Sequence, residues 1–135
     1  MSSILYAREQ TLDPSEFIDV LRRSGLAQRR PVDDRGRIER MLAHANLVIT
    51  ARDETRLIGV SRALTDFAFC CYLSDLAVDR QYQRSGIGVR LIEETRRAAG
   101  PDAACILLSA PDALGFYRAI GMPQSDRAFV FERDR

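Results

Sequence analysis

Apolar positions change their spacing several times along the chain, and each change marks an element. Ile4-Leu5-Tyr6 is a short apolar run suited to an opening strand. Asp13-Pro14 then supplies an N-cap and a proline at the first helical position. Phe17, Val20, Leu21 and Ser24 recur at helical spacing, and Gly25 ends that helix. The polar stretch 28–36 predicts a loop whose basic run is a solvated face. A second helix follows, with Ile38, Met41, Leu42 and Ala45 on one side.

Three strand signals come next: residues 47–51, 56–64 and 67–78, separated by turns at Asp53-Glu54 and Thr65-Asp66. The connections are short, which predicts a meander rather than crossovers. Farther on, Ile87, Leu91, Ile92, Thr95, Ala98 and Ala99 share one helical face, with Arg90–Glu94 and Glu93–Arg97 pairs on the other. Gly100-Pro101 stops this helix, and the apolar run 105–108 returns as a strand, completing a parallel strand–helix–strand unit. Ala110-Pro111-Asp112 opens a last helix carrying Leu114, Phe116, Tyr117 and Ile120, closed by Gly121, and residues 128–131 read as a final strand. With no repeat, linker or low-complexity tract, the expectation is a single α/β domain over residues 1–135, its mixed sheet mostly antiparallel with one parallel unit.

Composition narrows the function classes. A formal charge of +1 gives no global case for nucleic acid or an anionic membrane. No apolar run approaches the ~18 residues of a membrane span, and the N-terminus lacks a signal layout, so the expected setting is cytoplasmic. Cys70, Cys71 and Cys105 form no CxxC pair, and His44 sits in a helical stretch, so no metal site is expected and the thiols read as small buried hydrophobes. All 20 basic residues are arginine.

The stretch 76–91 carries the chemistry: an apolar strand end Leu76-Ala77-Val78, a polar turn, Gly86 and Gly88 one residue apart, then an amphipathic helix. Glycines permit a tight turn and close backbone approach, while the first helical amides lack intrahelical partners and the dipole favours an anion. Arg84 adds positive potential, and a phosphate or pyrophosphate is the natural guest. No GxxxxGK[ST] run exists, and Leu91 stands where a dinucleotide fingerprint needs its third glycine.

What remains, Gln83-x-x-Gly86-x-Gly88 behind a Leu-Ala-Val strand, resembles the acyl-CoA-binding motif of the GNAT superfamily of N-acetyltransferases. The segment from Ala110 to Met122, with Phe116-Tyr117 at its centre, is similar to a second motif of that family. The resemblance implies a GNAT-like fold whose sheet opens into a V-shaped cleft. Acetyl-CoA would be the cosubstrate, with no metal. The backbone of Leu76, Ala77 and Val78 would pair with pantetheine, and one of those amides would polarise the thioester carbonyl. Gln83 opens the motif, and the amides of Arg84, Ser85, Gly86, Ile87, Gly88 and Val89 would hold the pyrophosphate.

Tyr117 is implied as the general acid for the departing CoA thiolate. The positions that carry a base in several family members are Tyr72 and Ser74 here. Asp75 is the adjacent ionisable candidate, as base or ammonium anchor. Strand alternation turns it to the opposite face unless a bulge intervenes, and the other reading makes it a structural partner for an arginine. The implied function is N-acetyl transfer to a primary amine, most simply of a small molecule, by direct attack in a ternary complex. The alternative is a non-catalytic CoA-binding sensor or interaction domain. The family also implies a possible homodimer. No charge cluster in the sequence picks out the acceptor.

Overall fold

The computed structural model describes residues 3–135. Strand β1 (Ile4–Arg8) leads to helices α1 (Pro14–Ser24) and α2 (Arg35–His44), joined through a 3-10 turn at Leu26–Arg29. Strands β2 (Leu47–Asp53), β3 (Arg56–Thr65) and β4 (Cys70–Val78) form the meander. Helix α3 (Ile87–Ala99), strand β5 (Ala104–Ile106) and helix α4 (Leu114–Ala119) complete the order. The sheet runs β1-β2-β3-β4-β5, antiparallel except for the parallel β4–β5 pair.

Local chemistry sets the helix ends as the sequence predicts. The Asp13 carboxylate accepts from the Ser15 amide at 2.9 Å, and Gly25 adopts φ 89° and donates to the Arg22 carbonyl. β2 and β3 are buried on both faces, which explains their nearly continuous apolar runs. One core lies between the sheet and α1–α2, around Phe17, Leu21, Ile38 and Val60. The other lies under α3, around Leu47, Ile58, Ile87 and Leu91. Gly59 is small by necessity: a Cβ there would sit 3.1 Å from Leu91 Cδ1 and 3.2 Å from Ile87 Cγ2. The buried Ser61–Thr95 hydroxyl pair, 2.7 Å apart, ties α3 to β3 at a second point.

A bulge decides the geometry of β4. Its register with β3 passes from Arg62↔Asp75 to Ala63↔Leu73, leaving Ser74 as the extra residue. Side-chain faces exchange there. Cys71 packs with the α3 core, and so do Leu76 and Val78, whereas Ala77 joins the α1–α2 core. β5 follows β4 only from Cys70 to Tyr72, so the two strands part beside the bulge.

Three expectations are corrected. β4 begins at Cys70 rather than at residue 67, because Asp66 Oδ1 accepts from the amides of Ala68, Phe69 and Cys70 and holds them in a turn, with Phe67 at φ 61°. Cys70 is exposed, while Cys71 is buried. Residues 128–131 form no strand: β5 offers three paired residues and then turns away, and an extended segment without a partner edge gains no ladder. Phe129 and Phe131 are 95% and 105% exposed, and the segment instead lies along the opening between β4 and β5.

The Asp66 turn has a pH signature. Amide hydrogen bonds, from Ala68 first, hold its carboxyl down to about 2 from an ordinary value of 3.8. A carboxylate depressed in the folded state contributes stability above its unfolded pKa and loses it as pH falls toward the folded value. Thermal unfolding followed between pH 5 and pH 2 is expected to show a component absent from Asp66→Asn, whose turn cannot titrate.

Candidate active site

The glycine turn stands where β4 ends. Asp79 accepts from the Gln81 amide at 2.9 Å and opens a 3-10 turn at Arg80–Tyr82. The chain then passes through two left-handed residues, Arg84 at φ 66° and Gly86 at φ 84°, before α3 starts at Ile87. A Cβ on Gly86 would meet nothing within 4 Å, so the turn faces open space there. Gly88 answers to a different demand: a Cβ on it would lie 3.0 Å from Phe116 Cζ. Phe116 in turn packs edge-on against Tyr117, ring centroids 5.0 Å apart. The second glycine thereby sets the position of α4 and its tyrosine.

Two cavities meet at this point. The first, about 810 Å³, is lined by Arg84, Gly86, Ile87, Gly88 and Val89 of the turn, by Leu76 and Val78, and by Phe116 and Tyr117. The second, about 690 Å³, runs between β4, the segment after β5, α2 and the C-terminal segment. Leu76 and Tyr117 line both. Of the other expected binding residues, Gln83 also lines the first cavity, and its Nε2 donates to the Val78 carbonyl at 3.0 Å. Ser85 Oγ donates to the Tyr82 carbonyl. Ala77 turns its side chain into the α1–α2 core and can offer a ligand only backbone.

The open edge of β4 has its carbonyls partly claimed. Arg30 Nη2 donates to Ser74 O at 2.8 Å, and Gln83 takes Val78 O, leaving Leu76 between them on the same edge. Burial pushes the Tyr117 phenol above its ordinary value, against the opposing charge of Arg30. Burial also drives the Cys71 thiol up to about 11 and raises that of its register partner Cys105, so neither is an activated nucleophile.

The bulge turns Asp75 toward α1–α2, where it is 0% exposed. One carboxylate oxygen accepts from Arg30 Nε and the other from Arg62 Nε. Arg62 also donates to Met41 O at 3.2 Å and to Ser74 Oγ at 3.0 Å. Asp75 is thus buried with each oxygen facing an arginine. The geometry gives Asp75 two arginine partners, the alternative that stands beside base or ammonium anchor in the sequence. Arg30 is no part of a solvated face.

Sequence reasoning missed two arginines in the first cavity. Arg29 and Arg80 line it, and Arg80 packs so closely on Gly25 that a Cβ would fall 2.4 Å from its Nη2. No local signal marks them, because a turn before α2 and a turn after β4 bring them together. Among the described residues no His/Cys/Asp/Glu cluster could hold a metal ion, and no helix is long and apolar enough to cross a membrane.

A five-stranded mixed sheet parting between two parallel strands, with a glycine turn and helix at the parting, defines the class of domain. The profile described as "Acetyltransferase (GNAT) domain" matches residues 30–133, and the chain belongs to that family. It is 30% identical over 110 residues to GCN5-related N-acetyltransferase 1, chloroplastic, of Arabidopsis thaliana, covering 76% of this chain and 56% of that protein. The chain thus spans little more than half of that relative's length. A probable acetyltransferase from meticillin-resistant Staphylococcus aureus superposes with a TM-score of 0.79 at 18% identity, covering 97% of this chain and 99% of its own. An aminoglycoside N-acetyltransferase in complex with CoA gives 0.72 at 15% identity, covering 100% of this chain and 97% of its own. At these identities the likeness is one of fold, and it includes the sheet and the parallel pair.

Removing Asp75 is expected to unbalance the α1–α2 side of the sheet. Asp75→Ala leaves two part-buried guanidinium groups without their carboxylate, a change that costs about 3–5 kcal/mol. Urea denaturation read by far-UV circular dichroism measures it.

Proposed function

We propose that the chain is an acetyl-CoA-dependent N-acetyltransferase that acylates an amine by direct attack in a ternary complex. The observation that carries this reading is the junction of the two cavities at Leu76 and Tyr117: one runs to the glycine turn, the other to the opposite mouth. Acetyl-CoA would enter from the first, its pyrophosphate on the amides from Arg84 to Val89 and its pantetheine along the open edge of β4 at Leu76. Arg29, Arg80 and Arg84 supply positive charge to that cavity.

The acceptor would enter from the second cavity. Its nitrogen attacks the thioester carbonyl carbon, the carbon–sulfur bond breaks, and the Leu76 amide receives the developing oxyanion. Tyr117 gives its proton to the leaving thiolate, and the acceptor nitrogen loses one to solvent or to Glu132, the one carboxylate side chain lining the second cavity. Asp75 acts in this scheme as a positioning residue, fixing Arg30 and Arg62 in the cavity wall. The acceptor named for one similar fold is an aminoglycoside, which belongs to that protein and does not choose the acceptor here. We include a homodimer in the proposal, supported by the open outer edge of β5 and the exposed Ile106, Leu108, Phe129 and Phe131.

Calorimetric titration with acetyl-CoA tests the cofactor half. Micromolar binding is expected, and Gly86→Glu should abolish it by placing an anion in the open space beside the turn. No binding to the wild-type protein would overturn the transferase reading.

Transfer is tested by release of the CoA thiol. Tyr117→Phe should lower kcat by about 10²–10⁴-fold with acetyl-CoA affinity retained. Because the Tyr117 pKa is raised, its hydroxyl stays protonated throughout the neutral range. Tyr117 should therefore add no descending limb to the wild-type pH–rate profile in the neutral range. Binding without turnover of any amine would favour the sensor reading instead.

A further inference from the structure

The second cavity has a charge that the composition conceals. The chain carries a formal charge of only +1, yet six arginines line this cavity against a single carboxylate side chain, Glu132. They come from four separate parts of the chain: Arg29 and Arg30 before α2, Arg37 on α2, Arg62 on β3, and Arg133 and Arg135 in the C-terminal segment. Arg37 is half-buried and donates to the main-chain oxygen of Arg135 at 3.0 Å. Arg133 makes no hydrogen bond or ion pair among the described residues.

Two of the six, Arg30 and Arg62, form the wall beneath. Arg30 and Arg62 share the one carboxylate of Asp75, so this buried group of three carries a net charge of one cation. Each guanidinium has five N–H donors and places three bonds. Donors therefore remain on both residues that line the cavity. An uncompensated charge in a cleft with low-dielectric walls acts far more strongly than one in open solvent. Guanidinium groups held by a carboxylate and backbone carbonyls are preorganised for carboxylate or phosphate oxygens.

We propose that the acceptor is an amine bearing an anionic group, a carboxylate or a phosphate, which this arginine wall binds while the amine reaches the junction at Leu76 and Tyr117. The inference rests on the transferase reading above and fixes the chemical class of its second substrate. A polycationic amine is disfavoured by the same field.

Matched pairs test it by thiol release with acetyl-CoA saturating: L-methionine against L-methioninamide, and O-phosphoethanolamine against ethanolamine, with spermidine as the polycation. The amide's amine is the less basic and so the more available as free base, which means that intrinsic reactivity works against the expected result. At least one anionic member should exceed its neutral partner in kcat/KM by about tenfold or more. The two pairs separate a carboxylate from a phosphate preference. The preference should shrink in 0.5 M salt, where the Debye length falls to a few ångströms. It should also collapse in Arg37→Gln/Arg133→Gln, a variant expected to bind acetyl-CoA as the wild type does. Neutral members or spermidine turned over equally or faster would overturn the inference and leave the transferase reading standing. If none of these amines is turned over, calorimetry on CoA-saturated protein decides: an anionic member that binds no tighter than its neutral partner overturns it as well. Failure to bind acetyl-CoA at all is the separate result that removes the reading beneath it.

Discussion

β4 must satisfy two neighbours that ask for different things. It pairs with β3 from Cys71 to Val78, but with β5 only from Cys70 to Tyr72. A strand edge left open inside a protein carries unpaired amides and carbonyls that need other partners. The single extra residue at Ser74 sits where the two strands part. Beyond it the side chains exchange faces, sending Asp75 toward α1–α2 and Leu76 and Val78 toward α3. Arg30 and Gln83 then close the strand's exposed carbonyls at either end of a gap centred on Leu76. Without the bulge, Asp75 would press into the apolar core under α3, and the arginines would lose their carboxylate. The cleft, its cationic wall and its open backbone edge therefore follow from one irregularity.

The second constraint is rigidity at the start of α3. The helix approaches β3 closely at Gly59 and bonds to it through Thr95, so its N-terminus cannot drift from the sheet. Gly88 lets Phe116 reach the first turn of this helix, and Phe116 packs against Tyr117. The glycine turn and the phenol thus share one mechanical unit, although about thirty residues separate them along the chain. In this fold the two glycines divide their labour: Gly86 supplies a left-handed backbone and Gly88 supplies space.

What could be read from the chain was local. Caps at Asp13 and Gly25, the apolar face of α3 and the glycine turn each depend on residues within a few positions of one another. The bulge was not legible, because strand periodicity continues in the burial of Cys71, Leu73, Asp75 and Ala77 even as the faces exchange. Nor were the partners of Asp75, one of them 45 residues away. The Arg29-Arg30 pair looked like solvated charge because a basic run in a polar loop usually is. Residues 128–131 have strand composition but lack an edge to join, and only the short reach of β5 reveals that. The second cavity draws its charge from four distant segments, and no window along the sequence contains it.

The arginine wall also bears on stability. A buried ion pair gains little over well-packed apolar groups, because desolvation offsets most of the Coulomb attraction. Two cations sharing Asp75 do worse than a balanced pair, since one charge remains uncompensated in a low dielectric. The arrangement is then a poor device for holding the fold, and an anion arriving in the cavity would relieve the excess charge. Linkage requires that a ligand which relieves such a charge stabilise the folded state by RT ln(1 + [L]/Kd). The same excess charge that weakens the cavity wall would thus become part of the affinity for an anion that filled it.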